Sequence, residues 1–367
     1  MEFSLPSFYG IKLYQSEIFL ISSFLPSTPL NIYKNSVISP LLSIIIPTLN
    51  AAKVLETCLK SIKKQTFKDY EILIIDGGST DNTKIIAKKY RCKVIKNPLK
   101  TAEAAKALGL KMASGKYIAL IDSDNILPSI YWLSKMLLPF KDLSIIGSEP
   151  ISFTYRKNSG YIERYSALIG ANDPFAYVNG NYDRYSYLSN KWTGLKLNTE
   201  DKKSYLKLKI EDCRFLPTIG ANGTIFNKDF LNKFFKGDYL FDIDILAMAP
   251  KPLYFAKVKI GIIHTFCESS LTKFIKKQNR RLTDFYIYKN HRQYQWQNSN
   301  LPIKYTLYSL LIIPSLFDSL RGFIKKSDLA WFFHPLACFL TWWIYFIVTV
   351  KYRINLLKPL ERNQWHQ

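Results

Sequence analysis

Residues 41–268 are predicted to form an α/β fold, a Rossmann-like, mostly parallel sheet flanked by helices, with amphipathic and transmembrane helices following at the C-terminus. Three observations carry this. Short apolar runs at 42–47, 71–75, 93–95 and 117–121 alternate with stretches whose apolar residues recur at helical spacing. Two of those runs end in Asp with small neighbours. Far downstream, residues 329–350 carry no formal charge. Strands alternating with helices require right-handed crossovers, and these make neighbouring strands parallel.

Leu42–Pro47 is closed by proline, as suits a strand buried on both faces. Val54, Leu55, Cys58, Leu59 and Ile62 then mark a helix face. Glu71–Ile75 ends at Asp76-Gly77-Gly78-Ser79, and Ser79 or Thr80 can cap the helix carrying Ile85 and Ile86. Lys93–Ile95 is a third strand and Thr101–Met112 an alanine-rich helix. Tyr117–Ile121 is a fourth strand, ending at Asp122-Ser123-Asp124. Open α/β sheets bind ligands at the carboxyl ends of their strands. A carboxylate at Asp76 can take a ribose hydroxyl or a base N–H. The pair Asp122 and Asp124 can hold Mg²⁺ or Mn²⁺, hard ions that take oxygen ligands and bridge phosphates. Asp and Gly also make ordinary turns; their recurrence in one four-strand rhythm is what makes the pattern specific. No GxGxxG follows the first strand, which weakens a dinucleotide-binding dehydrogenase, and no GxxxxGK[ST] occurs, which excludes a P-loop nucleotidase.

Three blocks, SIIIPTLN at 43–50, IIDGGSTD at 74–81 and LIDSD at 120–124, resemble the family-2 glycosyltransferases with the GT-A fold. The resemblance covers residues 41–130 and implies specific roles. Asp76 would contact the donor nucleoside, Pro47 and Thr48 would line the base pocket, and Asp122 and Asp124 would bind the donor diphosphate through the metal. The chain departs from the family at Ala51, where many members have Glu, and over Lys100–Gly109, which lacks the usual glycine-rich start. Within Gly237–Ile245 the resemblance sets Asp242 on the catalytic base and Asp244 on a second acidic position, with Phe241 replacing a Glu. An inverting transferase needs one carboxylate to take the acceptor's proton. Helix-start carboxylates favoured by the dipole are the other reading of this segment.

Tyr254–His264 reads as a strand. Its final residue, His264, stands where the family often puts a group near the metal and phosphates; a core histidine at a strand end is equally compatible. Ile219–Thr224 is a small-residue run that lets backbones approach a ligand. Residues 150–215 are either an acceptor-side loop region or a solvated insertion.

Hydrophobic residues make up 48% and charged residues 22% of the 367, which provides for a packed core and excludes global disorder. The net charge of +23 implies an anionic partner. From Lys251 onward, 18 basic residues stand against 5 acidic ones. The excess gathers beside apolar segments rather than in a basic stripe with interleaved aromatics, which points to an anionic membrane and not to nucleic acid. Five scattered cysteines without a CxxC suit a reducing compartment.

The expected organisation is an irregular extension at 1–40, a glycosyltransferase domain at 41–268 (nucleotide-sugar half 41–130, acceptor half 131–268), a basic amphipathic interface helix within 269–300, and a membrane-associated region at 301–367. The helix carries Leu271, Ile275, Gln278, Leu282 and Phe285 on one face and lysines and arginines over the rest, a pattern that suits the headgroup plane of an anionic bilayer. Leu329–Val350 has the length and flanks of a transmembrane helix. Leu301–Leu320 is interrupted by Lys304, Pro314 and Asp318, and charge bias narrowly favours the two segments as a hairpin. The expected function is transfer of a sugar from a nucleotide-diphosphate sugar to a polyprenyl phosphate or lipid-linked saccharide, inverting and metal-dependent by resemblance, with the catalytic domain in the cytoplasm. The alternatives are a non-catalytic basic protein binding membrane or nucleic acid, and a degenerate transferase, raised by Phe241.

Overall fold

The computed structural model describes residues 39–220, 222–292 and 301–360; the N-terminal extension and Arg362 lie outside the described residues. The strands are β1 (Leu42–Thr48), β2 (Tyr70–Asp76), β3 (Lys93–Lys96), β4 (Tyr117–Leu120), β5 (Asn125–Ile126), β6 (Ile145–Phe153), β7 (Asn198–Asp201), β8 (Tyr205–Ile210), β9 (Thr224–Asn227) and β10 (Leu253–His264). The first helices are α1 (Ala52–Lys63), α2 (Thr83–Lys89), α3 (Ala102–Met112), α4 (Trp132–Leu137), α5 (Tyr161–Ile169) and α6 (Pro174–Asn179). After them come α7 (Lys228–Phe234), α8 (Asp242–Met248), α9 (Leu271–Ile287), α10 (Leu301–Leu310), α11 (Ile313–Lys325) and α12 (His334–Arg353).

The sheet runs β3-β2-β1-β4-β9-β6-β10-β8-β7, with β5 paired to the end of β10. Strands β1 to β4 are mutually parallel, as the strand–helix rhythm predicts. Among the described strands, β5, β8 and β9 run against the rest. β9 enters from 100 residues downstream and wedges between β4 and β6, a placement no local periodicity announces. Burial on both faces explains the unbroken apolar runs: Leu42, Ile44, Ile45 and Ile46 are all inaccessible. α1 covers one face through Leu55, Cys58, Leu59 and Ile62, and α3 covers the other through Ala105 and Leu110. Gly109 lets α3 approach that closely, because a Cβ there would sit 2.5 Å from Cγ2 of Ile45. Thr101 caps α3, its hydroxyl accepting from the Ala104 amide at 3.0 Å. Neither Ser79 nor Thr80 caps α2; the N-cap is Asn82, and the Ser79 hydroxyl is turned to Asp76 instead.

Of the irregular stretch 150–215, the part from Ile162 to Leu188 is packed rather than solvated, whereas β7 is exposed. Ile162, Tyr165, Leu168 and Tyr182 join Phe274, Trp331 and Phe333 in a third core that ties α5 to α9 and to the approach of α12. α12 then runs side by side with α9: Phe274 meets Phe333 edge-on, the Tyr286 hydroxyl lies 3.0 Å from that of Thr349, and Tyr286 stacks on Tyr352. Leu329–Arg353 is long and apolar enough to cross a membrane, with mean hydropathy 1.6. Residues 303–310 and 313–325 qualify only jointly and are bent by 75° at their junction.

Candidate active site

A cleft of about 420 Å³ opens at the carboxyl edge of the sheet, where β1, β4 and β10 end. Pro47, Thr48, Asp122, Asp124, Asp242 and His264 all line it. Residues predicted from segments 200 positions apart thus converge on one hollow, whereas Asp76 and Asp244 are not on its wall.

The turn after β4 is held from below. The Asp122 amide donates to Oδ1 of Asn125, and the Asn125 amide returns to the Asp122 carbonyl. Asn125 Nδ2 donates to Oδ1 of Asn222, whose carbonyl accepts from Arg184. Arg184 belongs to a buried cluster in which Glu149 accepts from Arg184 at 2.8 Å and from Lys257 at 2.6 Å. Of the small-residue run, Asn222 reaches the cleft, but Gly223 answers to packing: a Cβ there would sit 2.7 Å from Cδ1 of Ile262 and 3.0 Å from the Trp132 ring.

Register delivers His264. At its end β10 pairs with β5, setting His264 opposite Asn125 and its Nε2 3.4 Å from Oδ2 of Asp124. Lys277 of α9 reaches the same oxygen at 3.2 Å. Burial raises the Asp124 carboxyl, but His264 and Lys277 beside it outweigh that and hold it far below the usual range. Burial and the neighbouring Asp124 push Asp122 up to about 6. Two carboxylates and an imidazole facing one cleft are donors that Mg²⁺ or Mn²⁺ accept, and the Lys277 ammonium drawn onto Asp124 shows that this carboxylate attracts a cation. The residues therefore fit a divalent ion, although among the described residues no three acidic, histidine or cysteine side chains close around one point.

Asp242 opens α8 and is buried. Its Oδ2 accepts from Lys106 of α3 at 2.6 Å, while its Oδ1 is buried without a hydrogen-bond partner among the described residues. Burial pushes its carboxyl up, against the opposing pull of Lys106. Asp244, two residues further along α8, pairs with Arg292 at 3.1 Å, and that guanidinium also covers the Phe241 ring. Asp76 is 3% exposed, and its carboxylate is filled by the Thr48 and Ser79 hydroxyls and the amides of Gly78 and Ser79.

A profile of glycosyl transferase family 2 matches residues 43–235, more than half of the chain. The chain belongs to glycosyltransferase family 2. Among curated relatives of this family-2 chain, the UDP-Glc:alpha-D-GlcNAc-diphosphoundecaprenol beta-1,3-glucosyltransferase WfgD of Escherichia coli is 35% identical over 119 residues, 31% of this chain and 44% of that protein. Glycosyltransferase GlyG of Streptococcus pneumoniae is 38% identical over 94 residues, 24% of this chain and 31% of that one. The chain thus spans less than half the length of these relatives. Among solved structures, the mannosyltransferase PcManGT of Pyrobaculum calidifontis, in complex with GDP-Man and Mn²⁺, aligns over 86% of this chain and 88% of that one with a TM-score of 0.48 and 12% identity.

Within this family-2 fold the structure also revises the expectation for α9 and adds residues that were missed. The basic face of α9 does not lie wholly in a headgroup plane, because Lys277, Arg280 and Arg281 turn into the cleft. Lys106 was legible in hindsight: it shares the inner stripe of α3 with Ala105, Gly109 and Leu110, and a lysine on a buried stripe calls for an anionic partner. Lys277 sits likewise between the buried Phe274 and Gln278.

Proposed function

We propose that this chain transfers a sugar, with inversion, from a nucleoside-diphosphate sugar to an acceptor carried on a lipid phosphate or diphosphate, at the cytoplasmic face of a membrane. The observation that carries the reading is Asp242: one carboxylate oxygen is neutralised by Lys106, the other is buried without a hydrogen-bond partner among the described residues, and the residue lines a cleft that also holds the Asp122–Asp124 pair. A buried acceptor-only oxygen is costly unless something donates to it, and an acceptor hydroxyl supplies that donor as well as the proton to be removed. Asp242 is the base in this reading; Asp244, tied to Arg292, positions α8 against the cleft wall.

Asp122, Asp124 and His264 would hold a divalent cation, which when bound neutralises charge developing on the departing nucleoside diphosphate. Lys277, Arg280 and Arg281 add a cationic wall for the same phosphates. Pro47 and Thr48 shape the nucleoside side, and Asp76 acts from behind, fixing Thr48 and the 76–79 loop rather than reaching the base itself. The lipid acceptor is supported by the apolar helix α12, which packs directly on α9, itself part of the cleft wall, and by the acceptor that the name of WfgD gives. The basic wall is confined to a small concave cleft, which favours a diphosphate over a nucleic-acid duplex.

The test is a thermal-shift screen of UDP-, GDP- and dTDP-sugars with and without Mn²⁺, followed by transfer from the stabilising donor to polyprenyl phosphate and to lipid-linked N-acetylglucosamine. A ligand at 100 times its Kd stabilises by about 2.7 kcal/mol. No metal-dependent shift with any donor would overturn the reading; donor binding without transfer in any assay would point to the degenerate transferase.

A further inference from the structure

Outside the cleft, the feature that the described transfer chemistry leaves unexplained is the outer surface of α10 to α12. Large apolar side chains exposed in residues 39–292 are few and scattered, from Ile85 to Met248, whereas twenty crowd between Ile303 and Leu356. A water-soluble monomer rarely exposes more than a few hundred Å² of contiguous apolar surface.

The burial pattern of α11 is inverted relative to a soluble helix. Ser315, Ser319 and Gly322 face inward, Gly322 because a Cβ there would strike the Trp331 ring. Ile313, Leu316, Phe317, Leu320 and Ile324 face outward. Helices facing water put the apolar stripe inside, so the medium outside α11 is apolar. α12 carries a second outer seam at alternating spacings of three and four: Leu336, Phe339, Trp343, Phe346 and Val350. Its inner stripe, Ala337, Cys338, Thr341, Ile344 and Val348, is buried against the rest of the protein.

We infer that α10, α11 and α12 form an in-plane docking face that sinks into one leaflet of an anionic bilayer without crossing it. Three observations bear on this. First, α12 is fastened sideways to α9 along its length, from Phe333 on Phe274 to Tyr352 on Tyr286, and Tyr345 is bonded to Asp173 at the start of α6. α9 in turn lines the cleft with Lys277 and Arg281, so it cannot lie in hydrocarbon, and a helix lying parallel to it cannot cross. Second, α10 and α11 turn by 75° at Leu311-Ile312, which suits a surface-following path better than a span. Third, the charges fit an anionic leaflet. Lys351, Arg353 and Lys358 are exposed beyond the outer seam of α12. Of the carboxylates between 303 and 356, Asp318 is paired with Arg321 and Asp328 with Arg164. Basic residues near such a surface are drawn to its negative potential. This deepens the membrane-proximal reading above and stands independently of the transfer chemistry.

The experiment uses the full chain and a readout that needs no donor or acceptor. Flotation with vesicles of phosphatidylcholine alone, or with one third phosphatidylglycerol, measures binding, and Phe317→Glu with Trp343→Glu, both at exposed positions, should lower it tenfold or more while circular dichroism stays unchanged. Orientation comes from membranes of expressing cells: Ser327→Cys and Asn355→Cys, exposed positions just before and just after Leu329–Arg353, each in a Cys213→Ser background, are probed with an impermeant maleimide in sealed vesicles of both orientations. Equal labelling of the two positions from the cytoplasmic side, with release of the protein at alkaline pH, is the expected result. Labelling from opposite sides would overturn the in-plane arrangement in favour of a span. Failure to float, or a dimer in detergent-free buffer that Phe317→Glu dissociates, would overturn the lipid surface in favour of a second copy of the chain.

Discussion

Lys106→Met keeps the length of the side chain on α3 and deletes its charge. In the native protein its ammonium stands 2.6 Å from Asp242, and both side chains are under 10% exposed. Unit charges at that distance attract by about 6 kcal/mol at an effective dielectric near 20, a gain largely offset by desolvation. Breaking such a buried pair from one side costs about 3–5 kcal/mol, because a carboxylate is left uncompensated. The expected fall in Tm is on the order of 4–7 °C. Adding Asp242→Asn removes the orphaned charge, so the double variant should recover at least half of the loss. The pH dependence follows from the direction of the Asp242 shift. Burial already lifts its folded pKa above the ordinary 3.8, against Lys106. The folded chain therefore holds this proton more tightly than the unfolded one, and the group's stability contribution fades as pH rises from 3.8 toward the folded value. A base works only once its proton is off, so the acid limb of the transfer rate should lie above 3.8 in the wild type and move further alkaline in Lys106→Met. Calorimetry on the four chains of the cycle, with pH–rate profiles of wild type and Lys106→Met, provides the measurement. A melting temperature within 1 °C of wild type, together with an unmoved acid limb, would refute the argument that this ion pair sets the state of the base.

Asp124→Ala should abolish metal-dependent donor binding without unfolding the chain; titration calorimetry with Mn²⁺ present checks this, and unchanged affinity would remove Asp124 from the metal site. Asp242→Asn should leave donor binding intact and lower transfer by about 10² to 10⁴, whereas Asp244→Asn, whose native partner is Arg292, should lower it far less; the reverse order would move the base by two residues. Gly109→Ala gains about 1 kcal/mol in helix propensity but sets a Cβ 2.5 Å from the rigid Ile45 side chain, so overpacking should win and urea denaturation should show a net loss of about 1–2 kcal/mol. Glu149→Gln leaves Lys257 and Arg184 sharing less negative charge in a fully buried cluster, and a loss of about 3 kcal/mol by the same assay is expected.

Along residues 42–124 the sequence by itself determined the architecture, because the forces there are local. A strand buried on both faces must be apolar throughout, a covering helix must repeat at 3.6, and a carboxylate at a strand end lies at the ligand edge of the sheet. Asp122 and Asp124 could be read from that pattern, and Pro47, Thr48 and His264 from the family resemblance that the sequence blocks carry. Tertiary structure alone decided the rest. The reversal of β9 between β4 and β6 is a choice among distant partners. Lys106 meets Asp242 across 136 residues of chain, and Lys277 and His264 arrive at Asp124 from two further elements. Asp76 and Asp244 had the right chemistry for the cleft but were bonded elsewhere by their own loop and by Arg292. In the C-terminal helices, composition announced an apolar medium, but which face meets it depends on what α9 buries on the other side. Periodicity reports the surroundings of each element; the pairing of charges and faces between elements is set only when the whole chain is packed, since each buried charge must find its partner within a few ångströms.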